Sequence, residues 1–249
     1  MLTEKRQAEI LRLLKEQGSI TLQELKETLG ASESTIRRDL NALDQEGKLC
    51  KVFGGAVRTD GDEKIVSTED SVSAREVRNR SEKEAVARYA VSLIHPDDYI
   101  YLDAGTTTGC LIPLLPPIRA TFVTNAIAHA RALAARGFQV ILPGGEVKAS
   151  TEALVGHSAC QFLQRYHFSV GFFGTNGVHQ KAGFTTPDQL EAEIKRTALS
   201  NCHRRYVLCD HEKFNVVTPV SFAAFPDATV ITSGPLPGGY TECRNVITV

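Results

Sequence analysis

The sequence predicts an α/β protein with a small helical N-terminal domain and a larger C-terminal domain built on a parallel β-sheet. Three helical patterns lie within the first 58 residues, the next stretch is polar, and short apolar runs alternate with helical patterns from residue 81 onward. Such alternation is typical of parallel sheets with crossover helices. We therefore predict domains at residues 1–58 and 81–249, connected by a linker at 59–80.

The composition is ordinary for a globular chain of 249 residues, with 42% hydrophobic and 23% charged residues. The first residues are charged and lack the apolar segment of a signal peptide, and no apolar run approaches the length of a transmembrane helix. Six cysteines occur without a CxxC pair, which favours reduced thiols. Cys-His pairs at 202–203 and 209–211 flank a predicted strand that would separate them. We expect a cytoplasmic protein with no metal ion and no cofactor.

Three helices are predicted in the N-terminal domain. The first covers about Thr3–Gln17, where aliphatic residues recur on one side. The second opens at Thr21-Leu-Gln-Glu24, a spacing that lets Thr21 and Glu24 satisfy each other's free backbone amides. The third begins near Ser32, a favourable N-cap, and continues to about Glu46. The short Gly-Ala-Ser connection before it fits the turn of a helix-turn-helix.

The third helix has two chemically different sides. At about 100° per residue, Ile36, Leu40 and Leu43 lie on one side and are expected to pack in the core. The opposite side carries hydroxyl, amide and guanidinium groups, which contact base edges and phosphates in DNA complexes. We therefore predict that this helix recognises DNA. The candidate DNA-binding residues are Ser32, Ser34, Thr35, Arg37, Arg38, Asn41 and, in the next segment, Lys51.

The segment after this helix, KLCKVFGG, predicts a short strand that turns back at two glycines. Beside a helix-turn-helix this forms a wing, with Lys48, Lys51 and Arg58 along the DNA backbone. The net charge of −1 does not indicate nucleic-acid binding, and residues 1–58 hold ten Lys/Arg against nine Asp/Glu. The prediction therefore depends on where the charges lie and not on their sum.

The segments STIRRDL, GKL and GGA, in this order and spacing, resemble the N-terminal signature of the DeoR family of bacterial transcriptional regulators. The family usually has an Arg and a His or Tyr just before the two glycines, where this chain has Lys51 and Phe53. Within the family, the segments LTEKR and ILRLLKE look most like those of fructose-operon and related phosphosugar repressors. The resemblance implies a winged helix-turn-helix that binds operator DNA.

The larger domain begins with a capping box at Ser81-Glu-Lys-Glu84, which predicts a helix to about Ile94. Six apolar runs predict strands, and four intervening segments predict helices. The predicted strands are Tyr99–Leu102, Thr121–Val123, Val140–Leu142, Ser169–Phe173, Arg205–Leu208 and Thr229–Ile231. The predicted helices are Thr107–Leu115, Ala126–Arg136, Ser158–Gln164 and Gln189–Asn201. In such sheets, ligands bind beyond the carboxyl ends of the strands.

The loops at those strand ends carry candidate ligand-binding groups. In LDAGTTTG, Asp103 leads through a glycine and three threonines into a helix, which presents amides and hydroxyls to an anion. This loop also fits a tight turn with an N-cap. Glu191 and Lys195 are four residues apart on one helix, a spacing that also fits a surface ion pair. Asp210 and Lys213 follow another strand and also fit a charged turn.

Taken together, the motifs D-x-G-T-T, T-N, G-G, G-x-x-G, G-x-T, E-A-x-x-K and D-x-x-K-F resemble the effector domain of the same family. That domain is similar in fold to ribose-5-phosphate isomerase and glucosamine-6-phosphate deaminase, and its ligands are phosphorylated sugars. The family commonly has Ser before the last lysine, where this chain has Glu212. The resemblance places Asp103, Gly105, Thr106 and Thr107 at the phosphate end of a pocket and Asn125, Asn176, Glu191, Lys195, Asp210 and Lys213 around the sugar.

These features predict a transcriptional regulator, expected to be a repressor of a sugar-utilisation operon that a phosphorylated sugar such as fructose 1-phosphate releases from its operator. The expected partners are double-stranded operator DNA, the sugar phosphate and further copies of the chain in a dimer or tetramer, with no membrane. The alternative is a sugar-phosphate isomerase or deaminase with an appended DNA-binding arm, in which Glu191 or Asp210 would transfer protons. A nonspecific DNA-coating protein is disfavoured by the nearly neutral N-terminal domain.

Overall fold

A computed structural model describes residues 3–17, 19–45, 48–52, 55–57, 64–66, 71–237 and 239–249. The chain divides into two compact units, Met1–Lys64 and Ile65–Val249. The second unit therefore begins inside the segment that the sequence predicts as a linker. In the described part of the chain, no helix combines the length and hydrophobicity needed to span a membrane.

The first unit contains the three predicted helices and a small antiparallel sheet. Its elements are α1 (Thr3–Gln17), β1 (Ser19–Thr21), α2 (Leu22–Leu29), α3 (Glu33–Gln45), β2 (Cys50–Val52) and β3 (Gly55–Val57), and the strand order is β1-β3-β2. The predicted capping box forms: the Thr21 N–H donates to Glu24 Oε2 at 2.8 Å, and the Glu24 N–H donates to Thr21 Oγ1 at 3.2 Å. α2 ends at Gly30, whose φ of 59° lies in the left-handed region that glycine adopts readily.

Aliphatic side chains from all three helices and the adjoining strands form the core of this unit. They are Ile10, Leu13, Leu14, Ile20, Leu25, Ile36, Leu40, Leu43, Leu49 and Ala56. Asp39 is 2% exposed and accepts hydrogen bonds from Arg6 Nε at 2.5 Å and Arg6 Nη2 at 3.1 Å, which joins α3 to α1. The ion pair with Arg6 therefore keeps the Asp39 carboxylate inside the unit, away from the solvent-exposed side that carries Arg38. Phe53, Gly54 and Arg58 of the predicted wing lie outside the described residues.

The second unit begins within the two-residue strand β4 (Lys64–Ile65), where the division between the units falls. Its helices are α4 (Val72–Val77), α5 (Arg80–Ser92), α6 (Thr106–Gly109), α7 (Ile127–Ala135), α8 (His157–Leu163) and α9 (Gln189–Ser200). Its strands are β5 (Tyr99–Leu102), β6 (Thr121–Thr124), β7 (Gln139–Ile141), β8 (Glu146–Lys148), β9 (Ala153–Val155), β10 (Phe168–Gly174), β11 (Gly177–His179), β12 (Gly183–Thr186), β13 (Cys202–Leu208), β14 (Val216–Val217), β15 (Val220–Ala223), β16 (Thr229–Thr232) and β17 (Val246–Thr248).

A parallel sheet of seven strands, in the order β17-β16-β13-β10-β5-β6-β7, organises this unit. Neighbouring residues of a strand point to opposite faces. Ile100 and Leu102 of β5 therefore pack with α5 and α7 on one face, while Tyr101 packs with α8 and α9 on the other. The predicted parallel α/β domain is confirmed, and all six predicted strands belong to this sheet.

The structure differs from the sequence interpretation at three places. α5 begins at Arg80 and not with the predicted capping box, because Asn79 occupies the N-cap position with a φ of 50°. The helix predicted from Thr107 is only the short α6, followed by a 3₁₀ turn at Ile112–Leu114, because Pro113 cannot continue an α-helix. The strand β17 and the small sheets β8-β9 and β11-β12-β15 were not predicted, because strands this short show no clear hydrophobic periodicity.

Candidate functional site

A cavity of about 720 Å³ lies at the carboxyl edge of the seven-stranded sheet. Ala104 follows β5, Ala126 follows β6, Gly174 ends β10 and Asp210 follows β13, and all four line the cavity. Further walls come from α4, the start of α5, the turn between β8 and β9, and α9. Ligands of parallel α/β sheets bind at this edge. The cavity therefore lies where the sequence predicts a ligand site.

Most of the predicted effector-binding residues meet at this cavity. Those in its wall are Gly105, Thr106, Thr107, Asn176, Glu191, Lys195, Asp210 and Lys213. The other two, Asp103 and Asn125, are 1% and 2% exposed and lie behind the wall. The fold therefore brings the predicted residues together, with two of them in supporting positions.

Asp103 and Lys195 form a buried ion pair. The Lys195 ammonium donates to Asp103 Oδ2 and, at 3.2 Å, to the Gly174 carbonyl. The Gly174 N–H also donates to Asp103 Oδ2, at 2.9 Å. Burial raises the pKa of Asp103, although Lys195 and the Gly174 N–H act to lower it. The surface ion pair that spacing allows between Glu191 and Lys195 is not formed, because both side chains are buried and contact other partners.

Two buried side chains fix the loop between β5 and α6. Asn125 Oδ1 accepts hydrogen bonds from the Ala104 N–H and the Tyr101 hydroxyl, both at 3.1 Å. The hydroxyl of Thr108, which is fully buried, donates to the Asp103 carbonyl at 2.8 Å. These bonds hold the threonine loop against the cavity.

Lys83 of α5 is a functional candidate that the sequence reasoning missed. Its side chain lines the cavity although the residue is only 3% exposed. The ammonium donates to the Arg75 carbonyl and, at 3.3 Å, to Thr106 Oγ1, and none of the described residues forms an ion pair with it. Burial lowers its pKa, and the charge of Asp210 opposes this effect. The sequence contains one indication of this position. Lys83 lies three and four residues before Val86 and Ala87, the helical spacing that places it on the same buried side of α5.

Arginine residues extend the cationic wall around Lys83. Arg75, Arg78 and Arg80, from the end of α4 and the start of α5, line the cavity together with Lys213. The arginines lie in the segment predicted as a linker, so sequence reasoning did not associate them with a ligand. His129 lines the same cavity and is uncharged at neutral pH, because burial lowers its pKa to about 4.

Acceptor groups lie on the α9 side of the cavity. Glu191 Oε1 accepts hydrogen bonds from Lys148 Nζ at 3.0 Å and from the Thr151 hydroxyl at 2.8 Å. Asn176 Oδ1 accepts one from the Thr186 hydroxyl at 3.2 Å. The cavity therefore has an excess of cations on the α5 side, where Glu76 and Asp210 are the carboxylates, and carboxylate and amide groups together with Lys195 on the α9 side.

The turn that carries Asp210 and Lys213 is tied to α5. Asp210 Oδ1 accepts a hydrogen bond from the Glu212 N–H at 3.1 Å, and the Glu212 side chain is exposed. The His211 ring Nδ1 lies 2.8 Å from Glu82 Oε1. The hydrogen bond to Glu82 raises the pKa of His211 above its ordinary 6.5, and nearby carboxylates add to this effect.

The His211–Glu82 pair should make stability depend on pH. A raised folded-state pKa means that the stabilisation is complete below the unfolded value of 6.5 and is lost as the pH rises through the folded value. Replacing Glu82→Gln should therefore lower the melting temperature most at about pH 5–6 and have little effect well above neutrality. Glu84→Gln is the matched control, because its partner is the arginine Arg80 and not a histidine. A decrease in the melting temperature of Glu82→Gln that is the same at every pH would contradict the prediction.

The outer side of α3 presents the predicted DNA-binding groups to solvent. Arg38 is exposed, and none of the described residues pairs with its guanidinium. Arg37 Nη2 contacts Glu33 Oε1 at 2.7 Å, and Lys51 Nζ donates to Asn41 Oδ1 at 2.7 Å. These surface contacts are weak and can exchange for contacts with DNA.

Three hydroxyl groups cluster at the N-terminus of α3. Ser32 Oγ lies 3.0 Å from Ser34 Oγ and 2.8 Å from Thr35 Oγ1, and it accepts a hydrogen bond from the Thr35 N–H at 3.3 Å. Ser32 therefore caps the helix, as predicted, while Ser34 remains exposed on the outer side.

The fold and the two sites define a class of regulator in which a helix-turn-helix unit is joined to an α/β sensor unit. The model of the DeoR-like helix-turn-helix domain matches residues 6–61, and that of the DeoR C terminal sensor domain matches residues 78–234. The chain belongs to the DeoR family of transcriptional regulators.

Relatives in this family are similar over almost the whole chain. The uncharacterized HTH-type transcriptional regulator FruR of Bacillus subtilis is 38% identical over 94% of this chain and 92% of its own length. The lactose phosphotransferase system repressor of Staphylococcus aureus is 34% identical over 90% of this chain and 88% of its own. Among solved structures, ribose 5-phosphate isomerase A of Methanocaldococcus jannaschii shows 16% identity and a TM-score of 0.42 over 55% of each chain.

Proposed function

We propose that this protein represses a sugar-utilisation operon and leaves its operator when a phosphorylated sugar binds in the cavity. The observation that carries the proposal is the Lys83 ammonium, which is buried at the cavity, donates only to neutral groups and forms no ion pair among the described residues. A buried charge is costly unless it is paired. A phosphate group supplies both the opposite charge and several hydrogen-bond acceptors.

The two sides of the cavity support a sugar phosphate over a simple anion. Lys83 and Lys213 and the neighbouring arginines would hold the phosphate on the α5 side. Glu191 and Asn176 would accept hydrogen bonds from sugar hydroxyls on the α9 side. The volume of about 720 Å³ is within the usual range for small-molecule sites. The resemblance to fructose-operon repressors makes fructose 1-phosphate the first ligand to test.

We assign operator recognition to the outer side of α3, with Lys51 of the wing on the DNA backbone. The proposed assembly is a symmetric dimer or tetramer, because two recognition helices one helical turn apart read two half-sites of an operator. The ligand would then act by binding one arrangement of the DNA-binding units more tightly than the other. The lactose phosphotransferase system repressor among the relatives supports the repressor role.

Thermal shift and DNA binding together test this function. Fructose 1-phosphate, or another hexose or pentose monophosphate, should raise the melting temperature in proportion to its occupancy. The same compound should release a labelled DNA fragment that the protein has enriched from a random-sequence pool. If none of the hexose and pentose monophosphates tested raises the melting temperature or releases the DNA fragment, the proposed function is wrong.

Replacing Arg38→Ala should weaken operator binding by about 1–3 kcal/mol if its guanidinium contacts a base. The melting temperature should not change, because the side chain is exposed. Arg12→Ala is a matched control, since Arg12 is an exposed arginine of α1. Fluorescence anisotropy with the enriched DNA fragment measures both variants. Equal affinity of the wild type and the Arg38 variant would show that the outer side of α3 is not the recognition surface.

The proposal also holds that the cavity binds its ligand without converting it. The two relatives described above are, by name, an HTH-type transcriptional regulator and a repressor. Following each sugar phosphate by NMR in the presence of the protein separates binding from catalysis. Product formation over many turnovers would favour the isomerase or deaminase alternative.

A further inference from the structure

The β8–β9 hairpin stands outside the seven-stranded sheet and forms part of the cavity wall. Its turn, residues 149–152, lines the cavity. The Leu154 N–H donates to the Asn125 carbonyl at 2.7 Å, and the Ile127 N–H donates to the Glu152 carbonyl at 3.2 Å. These bonds join one edge of the hairpin to the loop between β6 and α7.

Glu191 joins the hairpin to α9. Lys148 Nζ lies 3.0 Å from Glu191 Oε1 and 3.2 Å from Asp188 Oδ2, and the Thr151 hydroxyl donates to the same Glu191 oxygen at 2.8 Å. The Lys148 and Glu191 side chains are 19% and 9% exposed, so these charge-assisted hydrogen bonds are largely shielded from water. Both donors use Oε1, and among the described residues no group donates to Oε2.

We propose that Lys148 is a positioning residue that, with Thr151, holds Glu191 so that Oε2 accepts a hydrogen bond from a hydroxyl group of the ligand. The proposal rests on the proposed function, because it takes the ligand to be a phosphorylated sugar in this cavity. Lys148 acts through Glu191 and need not touch the ligand itself.

This arrangement makes the α9 side selective for hydroxyl donors. An ionised carboxylate is only an acceptor, so Glu191 pairs with a sugar hydroxyl and repels the oxygens of a phosphate group. Inorganic phosphate bound beside Lys83 offers no hydroxyl-bearing carbon chain to this side. Loss of Lys148 should therefore weaken binding of a sugar phosphate and leave binding of inorganic phosphate unchanged.

The first measurement compares ligand affinities of four proteins by calorimetry: the wild type, Lys148→Met, Lys148→Arg and Lys181→Met. The Lys148→Met variant should bind fructose 1-phosphate about tenfold more weakly, the effect of losing one charge-assisted hydrogen bond that orders Glu191. Its affinity for inorganic phosphate should equal that of the wild type. Lys148→Arg retains a donor and should recover most of the loss, and Lys181→Met, at an exposed lysine, should have no effect.

The second measurement needs no ligand. Hydrogen exchange followed by mass spectrometry should show faster exchange in the peptide covering residues 146–155 for Lys148→Met, but not for Lys148→Arg or Lys181→Met. Unchanged exchange in Lys148→Met would overturn the role of Lys148 in holding the hairpin to Glu191.

The two measurements separate failure of this proposal from failure of the proposed function. If the wild type binds fructose 1-phosphate and Lys148→Met binds it equally well, the positioning role is overturned and the sensor function stands. If no sugar phosphate binds the wild type, the sensor function fails and so does the ligand contact of Glu191. Hydrogen exchange then still decides whether Lys148 holds the hairpin.

Discussion

Replacing Lys83→Met should abolish the response to a phosphorylated ligand without destabilising the unliganded protein. If the ammonium pairs with the phosphate, its loss costs about 2–5 kcal/mol of binding free energy, which weakens binding about thirtyfold or more. The unliganded protein should not be destabilised, because the cost of burying the ammonium, which donates only to neutral groups among the described residues, outweighs its attraction to Asp210. Methionine has nearly the same length and removes the charge.

Calorimetry with fructose 1-phosphate and thermal unfolding without ligand measure the two parts of this prediction. The matched control is Arg88→Met, which removes a cation from the exposed side of the same helix. DNA binding without ligand should be unchanged in both variants. A Lys83→Met protein that binds the ligand with wild-type affinity would show that the phosphate is held elsewhere.

Replacing Lys195→Met should have the opposite consequence and destabilise the second unit by about 3–5 kcal/mol, because it leaves the Asp103 carboxylate buried without its cation. Asp103 is 1% exposed, and its described donors are Lys195 and the Gly174 N–H. In a unit of this size the loss corresponds to a decrease in melting temperature of roughly 10 °C. Thermal unfolding at neutral pH measures it.

A second substitution and the pH dependence test the physical reason for this loss. Asp103→Asn in the Lys195→Met background removes the unpaired charge and should restore much of the stability. Burial raises the pKa of Asp103 and Lys195 lowers it, so the pKa should rise further in Lys195→Met. The folded state then takes up a proton more readily than the unfolded state, and the deficit should shrink as the pH falls. A deficit that is independent of pH and unaffected by Asp103→Asn would exclude an unpaired carboxylate as its cause.

Lys83 and Lys195 are buried to a similar extent and differ in their partners. Lys83 and Lys195 are 3% and 5% exposed, and both line the cavity. Lys195 has a carboxylate partner within the protein, so removing it harms the fold. Lys83 has none among the described residues, so removing it should harm only the binding of an anion.

Much of the proposed recognition surface could be predicted from the sequence. The alternation of Ile36 and Leu40 with Arg38 and Asn41 determines two sides of one helix, and the structure buries the first pair and exposes the second. The order of the six strands predicted for the main sheet, and of the helices between them, could also be predicted, since each of these elements has its own apolar pattern. The cationic segment at Arg75–Arg80 was not, because a short polar helix has no periodicity that separates a cavity wall from a linker.

By itself, the sequence determined the order of the main helices and strands, the two-sided character of α3 and the loops that meet at the carboxyl edge of the sheet. Only the tertiary structure decided which charges pair: Lys195 with Asp103, 92 residues away, and Lys148 with Glu191, 43 residues away. The physical reason is the range of the two effects. Amphipathy arises from residues within a few positions of one another, whereas the partner of a buried charge depends on distances through space that the folded sheet sets.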